Sequence, residues 1–493
     1  MTNFGRRDFL KLTPAAALLL CFSPSQLIAG ERTRLSVRGN RATDIEGQWK
    51  LTDIEGEIPK DLRGSFYKIG PATKEIFGTK LKHYFDGDGY VSRFAITDEG
   101  IELTARFIQT PQRMEEQSSG KMLYDEFGTA APKRNREGRK NQPNISLFPW
   151  GEDLLALSEG GHPAALDPGT LEFRKLTDFN GTLPKNVSFS AHPKVDLKTG
   201  EAFGFGIEQG MSKALKVFKL DRETGKCHEL YSLSQKHVYM IHDMTMTDDH
   251  LIFIIPPVFF KITNIILALG SLAESVKYDP KIGTTLLVLD RKGKAKPIEI
   301  KLPPSLVFHH GNAVASGDQL KLQTFLSKDE SIMNFISDWE GPVRGEISYP
   351  EVHEMVFDLK TKKLLKDETI FSQHDFPVFN QRFTGQDHRY LYMTGMGPAA
   401  DPFGLHRITK YDLKTRTPLT ITVSQGELCG EPFFVEKPNA QFEDDGWLAF
   451  TGYDDARDEG FLEIRDAKDL SFVARVWAGI YLPLGFHGTF IKA

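Results

Sequence analysis

Four histidines in short, distinctive contexts are the residues of this chain most able to do chemistry. They are His192 in S-A-H-P-K-V-D, His242 in I-H-D-M, His309 in F-H-H-G-N-A and His487 in G-F-H-G-T-F. The gaps between them are far longer than those of a zinc finger or of two histidines on one helix. Such dispersed imidazoles indicate a closed, repeated scaffold in which separate strands or loops bring one ligand each to a common axis. We interpret the set as an iron site made of histidine alone, because neutral imidazole suits iron.

Further signatures lie before and between these histidines. H-Y-F-D-G-D-G-Y-V begins at His83, G-S-F-Y-K-I-G-P ends at Pro71, and P-K-I-G-T begins at Pro280. Together with the order of the four histidine contexts, these stretches resemble the carotenoid cleavage oxygenases, the family that includes apocarotenoid oxygenases, lignostilbene dioxygenases and the retinoid isomerase of the visual cycle. The resemblance runs from about residue 54 to residue 493. The sequence departs from the family at Thr285, where arginine is usual.

The resemblance also selects between two adjacent histidines. Successive strand residues point to opposite faces, so only one of His309 and His310 can reach the axis. The family pattern F-H-x-x-N-A places the ligand first, which favours His309. His83 is expected to be structural or to line a substrate tunnel.

Three carboxylates are implied beside the histidines. The family's three glutamates map onto Glu159 in L-S-E-G-G, Asp375 in H-D-F-P-V-F-N and Glu431 in G-E-P-F-F-V. Such carboxylates orient the imidazoles and offset the charge of the metal. Asp375 is one methylene shorter than the usual glutamate. We therefore expect its hydrogen bond to histidine to be longer or bridged by water, at some cost in iron affinity or rate.

Composition fits a globular enzyme, with 40% hydrophobic and 26% charged residues and a net charge of −5. Binding of nucleic acid would call for a basic face. The basic stretch from Lys133 to Lys140 lies in a polar loop and is interpreted as solvated surface. We therefore expect no nucleic-acid partner.

Residues 1–30 are interpreted as a cleavable twin-arginine signal. G-R-R-D-F-L-K is followed by the apolar run from Ala15 to Phe22, which is too short for a permanent transmembrane helix. The alternative is a chance pair of arginines before an apolar helix. Export predicts a periplasmic enzyme in which Cys227 and Cys429 remain. They could form one disulfide there, but we favour two buried free thiols, because the family that the chain resembles does not depend on a disulfide.

Short β-rich runs separated by turn residues dominate the rest of the chain. A strand followed by aspartate and a polar turn recurs, at Asp221, Asp290, Asp358 and Asp412. These repeats predict hairpins within the blades of a β-propeller. The resemblance implies seven blades and a dome of loops and helices above an axial iron site. The predicted fold is therefore all-β, with residues 31–493 forming a single seven-bladed β-propeller oxygenase domain.

One strongly apolar segment follows the pair Pro256 and Pro257 and ends at Leu272. It cannot form one transmembrane helix with the preceding strand, because the prolines interrupt it. It is either a buried helix packed on the propeller or a patch that dips into a bilayer. We favour the second interpretation for residues 257–272, since a lipophilic substrate could then enter without crossing water.

The activity implied by the resemblance is cleavage of a carbon–carbon double bond in a carotenoid or apocarotenoid by Fe(II) and O2, giving two carbonyl products. Stilbene cleavage is the first alternative. Lignostilbene-type enzymes tend to carry a lysine just before the first glutamate, whereas this chain has Ser158. A propeller that only binds a lipophile is a second alternative, although such a carrier needs no redox metal.

Overall fold

The computed structural model describes residues 35–208, 213–337, 347–397 and 404–493. The signal predicted for residues 1–30 lies outside these ranges. The described chain is mostly β-strand, as predicted. None of its helices combines the length and apolar character needed to cross a membrane.

Within the described residues, seven sheets of four or more strands follow one another along the chain. In order of hydrogen-bonded neighbours, the first sheet contains Gly47–Leu51, Gly100–Phe107, Gly89–Thr97, Gly64–Pro71 and Gly488–Lys492; the second Ser146–Trp150, Asp153–Leu157, Ala164–Leu166 and Phe173–Leu176; the third Lys194–Val195, Ala202–Glu208, Ala214–Asp221 and Lys226–Ser234. The fourth contains Thr245–Met246, His250–Ile255, Thr284–Asp290 and Ile298–Leu302; the fifth Leu306–Ser316, Gln319–Ser327, Glu351–Asp358 and Lys363–Ser372; the sixth His374–Val378, Tyr390–Met396, Leu405–Asp412 and Thr417–Thr422. The seventh contains Ile54–Gly56, Phe472–Trp477, Glu459–Asp466, Gly446–Asp454 and Glu427–Cys429, with Phe433–Glu436 also paired to its fourth strand.

Shorter elements are inserted between these strands. A three-stranded sheet and two strand pairs are formed by Val238–Tyr239, Val258–Phe260 and Val276–Tyr278, by Glu75–Ile76 with Thr79–Lys80, and by Tyr124–Asp125 with Gly138–Arg139. The α-helices and short 3₁₀ turns include Pro111–Ser119, Ile262–Ile266, Ser331–Ile336, Lys133–Asn135, Ala273–Ser275, Pro280–Ile282 and Gln381–Phe383, and residues 35–39 are also helical. Among the described residues, the longest helix begins after Thr110, whose side chain accepts a backbone N–H, and ends at Gly120 in a left-handed conformation.

Strand pairing joins the two ends of the described chain. Gly488–Lys492 pairs antiparallel with Gly64–Pro71 in the first sheet. Ile54–Gly56 pairs antiparallel with Phe472–Trp477 in the seventh sheet. Strands from early and late in the described chain therefore stabilise the first and seventh sheets together.

Most of the core lies between consecutive sheets. In the strand His250–Ile255, Leu251 and Phe253 pack with the third sheet, whereas Ile252 and Ile254 pack with the fifth. Successive strand residues face opposite sides, so a strand covered on both faces is apolar throughout. Such apolar clusters join each sheet to the next, and another joins the seventh sheet to the first.

The recurring aspartates end strands, as the sequence pattern predicts. Asp221, Asp290, Asp358 and Asp412 are each the last residue of a strand. Their carboxylates accept backbone N–H groups two to three residues ahead, for example those of Lys414 and Thr415 at Asp412. This local bonding turns the chain back on itself and explains why aspartate recurs there.

The apolar segment 257–272 divides into a buried part and an exposed part. Val258 and Phe259 are buried, because their strand pairs on both sides within the three-stranded sheet. Ile266, Leu267 and Leu269 are 75%, 66% and 56% exposed. Because Val258 and Phe259 are buried, the segment does not form one continuous membrane-facing patch. Only its second part, around Ile266, can contact a membrane.

Candidate metal centre

Four imidazoles converge on one point in the structure. The ligand atoms of His192, His242, His309 and His487 all lie within 4.8 Å of one another. Nε2 of His192 is 2.9 Å from Nε2 of His242, and Nε2 of His309 is 3.3 Å from Nε2 of His487. The structure therefore brings together the four histidines that the sequence selected.

Each of these histidines lies at the edge strand of a different sheet. His192 precedes Lys194–Val195 in the third sheet, and His242 precedes Thr245–Met246 in the fourth. His309 lies in Leu306–Ser316 of the fifth sheet, and His487 precedes Gly488–Lys492 of the first; the positions are edges in all four cases. Edge strands that face one another can deliver side chains to a shared centre.

The three predicted carboxylates contact three of the imidazoles. Nδ1 of His309 donates to Oδ1 of Asp375 at 2.7 Å, and Nδ1 of His487 donates to Oε1 of Glu431 at 3.0 Å. Nδ1 of His242 contacts Oε1 of Glu159.

Because these Nδ1 atoms face carboxylates, each of the three rings turns Nε2 toward the centre. Among the residues that the structure describes, no carboxylate pairs with His192.

The carboxylates come from the three sheets that supply no histidine to the cluster. Asp375 lies in His374–Val378, the edge strand of the sixth sheet. Glu431 lies between two short strands of the seventh sheet, and Glu159 follows Asp153–Leu157 of the second. Each of the seven sheets thus contributes one of the seven residues.

Asp375 reaches its histidine directly, so the expectation of a longer or water-bridged hydrogen bond is wrong. The pairing of its strand with Tyr390–Met396 shifts register between Asp375 and Val378. Phe376 within this irregularity has a φ of 57°. A bulge redirects the edge strand, and the side chain then reaches its partner despite lacking one methylene.

The surroundings set the charge of each imidazole. Burial lowers the pKa of His192 well below its ordinary value, and the neighbouring His242 and His487 lower it further. Burial also lowers the pKa of His487, which Glu431 only partly offsets. Burial opposes charge on His309 too, but Asp375 raises its pKa above the ordinary value. Neutral imidazole is the form that binds metal, and burial favours that form in His192 and His487.

His310 and His83 lie outside the cluster. His310 hydrogen-bonds Thr324 through Nδ1 at 3.0 Å. The pairing of Leu306–Ser316 with its neighbour is irregular on both sides of His310. His83 is buried between aromatic rings, and its Nδ1 accepts the backbone N–H of Phe85 at 3.1 Å.

Sequence reasoning missed Lys68, a buried cation beside the cluster. It is only 2% exposed, and its Nζ donates to the backbone oxygen of Phe486 at 2.6 Å. Burial lowers the pKa of Lys68 to about 8, an effect that Glu431 opposes. The available signal was one lysine within the otherwise apolar run F-Y-K-I of a strand with no exposed residue.

Aromatic and aliphatic side chains adjoin the imidazoles. Phe308 lies 5.5 Å from the ring of His242, and Tyr84 and Phe85 lie 5.2 and 5.6 Å from the ring of Phe486. Tyr84, Phe85 and Phe308 belong to one apolar group, here called the cap cluster, with Phe260, Val276, Tyr278, Met333, Ile347, Met240, Val258, Leu306, Ile332 and Ile336. A separate cavity of about 170 Å³ touches His192, His487 and Glu431.

The donor set fits a first-row transition metal. Within the described residues the cluster offers histidine nitrogens and no carboxylate oxygen or thiolate. Imidazole nitrogens bind such metals at about 2.0–2.1 Å, so two adjacent ligands lie about 3 Å apart. The measured separations of 2.9 and 3.3 Å agree with that value.

Comparison with known proteins identifies the family. The family model described as retinal pigment epithelial membrane protein matches residues 40–492. The chain belongs to this family. The resemblance found in the sequence is therefore confirmed.

Members of this family are similar to the chain over nearly their whole length. Apocarotenoid-15,15'-oxygenase of Synechocystis sp. is 29% identical, over 95% of this chain and 98% of the relative. Resveratrol cleavage oxygenase 1 of Aspergillus fumigatus is 26% identical, over 91% and 93%. The crystal structure of the cobalt-substituted Synechocystis apocarotenoid oxygenase matches with a TM-score of 0.87 and 27% identity, over 94% of this chain and 99% of that one.

Proposed function

We propose that this protein is an Fe(II)-dependent oxygenase that cleaves a carbon–carbon double bond of a carotenoid or apocarotenoid with O2. The observation that carries the proposal is the cluster of four imidazoles, three of them held by carboxylates. The similarity to an apocarotenoid oxygenase over nearly the whole chain supports the substrate class. The atoms balance because each atom of one O2 molecule becomes the oxygen of one of two new carbonyl groups.

One ferrous ion would be held by Nε2 of His192, His242, His309 and His487. When bound, ferrous iron would supply the capacity to activate O2. The chain keeps the rings in place through the Nδ1 contacts with its three carboxylates. Those carboxylates offset the charge of the ion without occupying one of its positions.

The surroundings of the cluster support a lipophilic substrate. The cap cluster places Phe308 beside His242, and Phe85 against Phe486, the residue before His487. A long polyene offers no charged group and gains affinity by burying apolar area, at about 25 cal/mol per Å². Rings packed in this way also exclude water from the reacting double bond.

Stilbene cleavage is the second candidate, because one relative is named a resveratrol cleavage oxygenase. Ser158 disfavours it. Its hydroxyl lies 3.3 Å from Oδ1 of Asn141, to which it donates, and 3.4 Å from the backbone nitrogen of Gly160, from which it accepts. A hydroxyl committed to such contacts cannot replace the lysine that lignostilbene-type enzymes carry, and neutral hydrogen bonds are about half as strong as charge-assisted ones. A carrier without catalysis is disfavoured by the converging imidazoles.

We also propose that the seven sheets are the blades of a β-propeller with the metal on its axis. Support comes from the apolar clusters that join each sheet to the next and the seventh to the first. The contribution of one site residue by each sheet supports the same arrangement. The elements that carry the cap cluster would then form the dome.

Export to the periplasm stays a proposal based on the twin-arginine pattern of residues 1–30. Peripheral attachment to a membrane is proposed for the exposed side chains Ile266, Leu267 and Leu269. Apolar side chains of this kind can enter the boundary between lipid headgroups and acyl chains.

The test is anaerobic reconstitution with Fe(II), followed by addition of air and a panel of polyenes and hydroxystilbenes. Mass spectrometry identifies the carbonyl products. We expect kcat/KM for an apocarotenal or carotenoid to exceed that for a hydroxystilbene by at least about 10-fold, or roughly 1.4 kcal/mol. Comparable or faster turnover of the hydroxystilbene would replace the carotenoid assignment with the stilbene one. Failure to cleave any member of the panel with iron bound would favour the carrier.

A further inference from the structure

We infer that Asp243 is a positioning residue that sets the spacing of three of the four imidazoles. The inference deepens the proposed metal centre and rests on it. Asp243 is distinct from the three carboxylates that contact the imidazoles, and it is not a member of the group of converging ligand atoms.

The Asp243 carboxylate contacts three chain segments that carry the histidines. It follows His242 directly and is only 4% exposed. Its Oδ1 forms an ion pair with Nζ of Lys194 at 2.7 Å, and Lys194 lies two residues after the first histidine of the cluster. Its Oδ2 accepts the backbone N–H of His310 at 3.0 Å, directly after the third histidine of the cluster. One side chain therefore links the segments beside the first, second and third histidines.

These segments belong to the third, fourth and fifth sheets, which share no strand pairing within the described ranges. Backbone hydrogen bonds fix distances within each sheet but not between the sheets. The hydrophobic packing between these sheets has no preferred direction, whereas charge-assisted hydrogen bonds have a defined geometry. Other polar contacts near the cluster, such as Ser190 Oγ with the His242 carbonyl and Thr245 Oγ1 with the Gly311 carbonyl, each connect only two sheets.

Lys194 explains how a carboxylate can be charged in this position. Oδ1 of Asp243 faces Nζ of Lys194 at 2.7 Å, and the backbone N–H groups of Met244 and His310 donate to the same carboxylate. The Lys194 side chain is itself 27% exposed and keeps part of its hydration. The contact between Asp243 and Lys194 can therefore fix the spacing of the sheets without burying an unpaired charge.

A purely structural ion pair would also stabilise the protein, so the test needs a matched control. Asp196 is buried to a similar degree, at 3% exposure. Its Oδ2 accepts from Nη2 of Arg291 at 3.0 Å, which links the third sheet to the residue that follows a strand of the fourth. Asp196 otherwise bonds to the turn at Lys198 and Thr199, away from the histidines.

The experiment compares the metal-free parent chain with Asp243→Asn, Lys194→Met and Asp196→Asn. Cobalt(II) is the probe, because it neighbours Fe(II) in the affinity series and its visible bands report coordination geometry. The dissociation constant is measured by absorption titration, and the free energy of unfolding by urea denaturation.

We expect Asp243→Asn to weaken Co(II) binding by at least about 10-fold and to shift the visible bands. Lys194→Met should weaken binding by a smaller factor. Asp196→Asn should lower stability while keeping the parent's dissociation constant within about twofold.

Unchanged affinity and bands in Asp243→Asn would overturn the inference, as would an equal loss in Asp196→Asn. If Asp243→Asn does not fold, Lys194→Met decides, and parental Co(II) binding in that variant overturns the inference. A parent chain that binds no Co(II) contradicts the proposed metal centre itself. A parent that binds Co(II) while Asp243→Asn is insensitive contradicts only the positioning role.

Discussion

Two adjacent histidines with different surroundings illustrate what single residues contribute to this site. Nε2 of His309 faces the other imidazoles, while its Nδ1 donates to Asp375. His310 instead pairs with Thr324, and burial lowers its pKa to about 4. The alternation of strand side chains predicted that only one of them could reach the centre. The choice of the first came from the family pattern.

His309→Ala is expected to lose bound iron while the protein stays folded, because one of four ligands and the partner of Asp375 disappear together. His310→Ala removes the hydrogen bond to Thr324 and leaves a cavity where the buried ring was, so it should keep iron at a stability lower by at least about 1 kcal/mol. Metal analysis after reconstitution and urea unfolding measure the two effects. Retention of iron by His309→Ala together with its loss from His310→Ala would reverse the assignment.

Asp375→Asn should weaken iron binding about 10-fold to 100-fold, as the loss of other carboxylate partners of metal ligands does. Asp375→Glu should weaken iron binding less than Asp375→Asn does, but it should still weaken it. The aspartate already reaches Nδ1 of His309 at 2.7 Å, so the longer glutamate has no room in the same position. Competition with a chelator gives both affinities. Parental affinity in Asp375→Asn would show that this carboxylate does not support the metal.

The free energy of unfolding should fall at acidic pH, and His83 should contribute part of this fall. Burial, with a smaller effect of Lys74, lowers the pKa of His83 to about 3. In the unfolded chain the imidazole of His83 is protonated below about pH 6.5, whereas in the folded protein it stays neutral down to about pH 3. The free energy of unfolding therefore falls in this window, by up to about 1.4 kcal/mol per pH unit for this one group.

His83→Gln should show a smaller loss of stability than the parent between about pH 6 and pH 4. His228→Gln is the control, since the His228 side chain is 57% exposed. Urea unfolding at several pH values measures the slope. An equal slope in His83→Gln and the parent would exclude this contribution.

At the scale of elements, the site depends on edge strands and their irregularities. The sequence predicted strands at Leu154, Leu251 and Tyr390, and these are confirmed as Asp153–Leu157, His250–Ile255 and Tyr390–Met396. Strand patterns could not predict the register shifts around Asp375 and His310. A register shift of one residue changes the face of the sheet on which a side chain lies. The direct contact of Asp375 with its histidine therefore could not be predicted from the sequence.

The segment after Phe260 contains the exposed apolar side chains expected of a membrane contact. Replacing Ile266 and Leu267 with glutamate should lower partition into phosphatidylcholine vesicles by at least about 10-fold, because each exposed side chain gains roughly 1.5–3 kcal/mol on full burial. Leu197→Glu is the control, since Leu197 is 61% exposed but lies elsewhere. Vesicle sedimentation measures partition. Equal partition of all three proteins would exclude this segment as the attachment site.

At the scale of the whole molecule, seven sheets each supply one residue to the centre. The four histidine contexts and the family resemblance predicted the identity of all seven residues. They did not reveal Lys68 or the contacts of Asp243, because each contact joins chain segments at least 49 residues apart. Side-chain contacts between sheets leave no periodic signal in the sequence, whereas burial within a sheet does.

The central claim is that one iron ion is bound by four imidazoles and no carboxylate. Crystals of the iron-loaded protein, measured on both sides of the iron absorption edge, locate the ion directly. We expect one anomalous peak about 2.1 Å from Nε2 of His192, His242, His309 and His487, with Glu159, Asp375 and Glu431 touching only the Nδ1 atoms. A peak elsewhere, or one bonded to fewer of these histidines or to a carboxylate, would contradict the account.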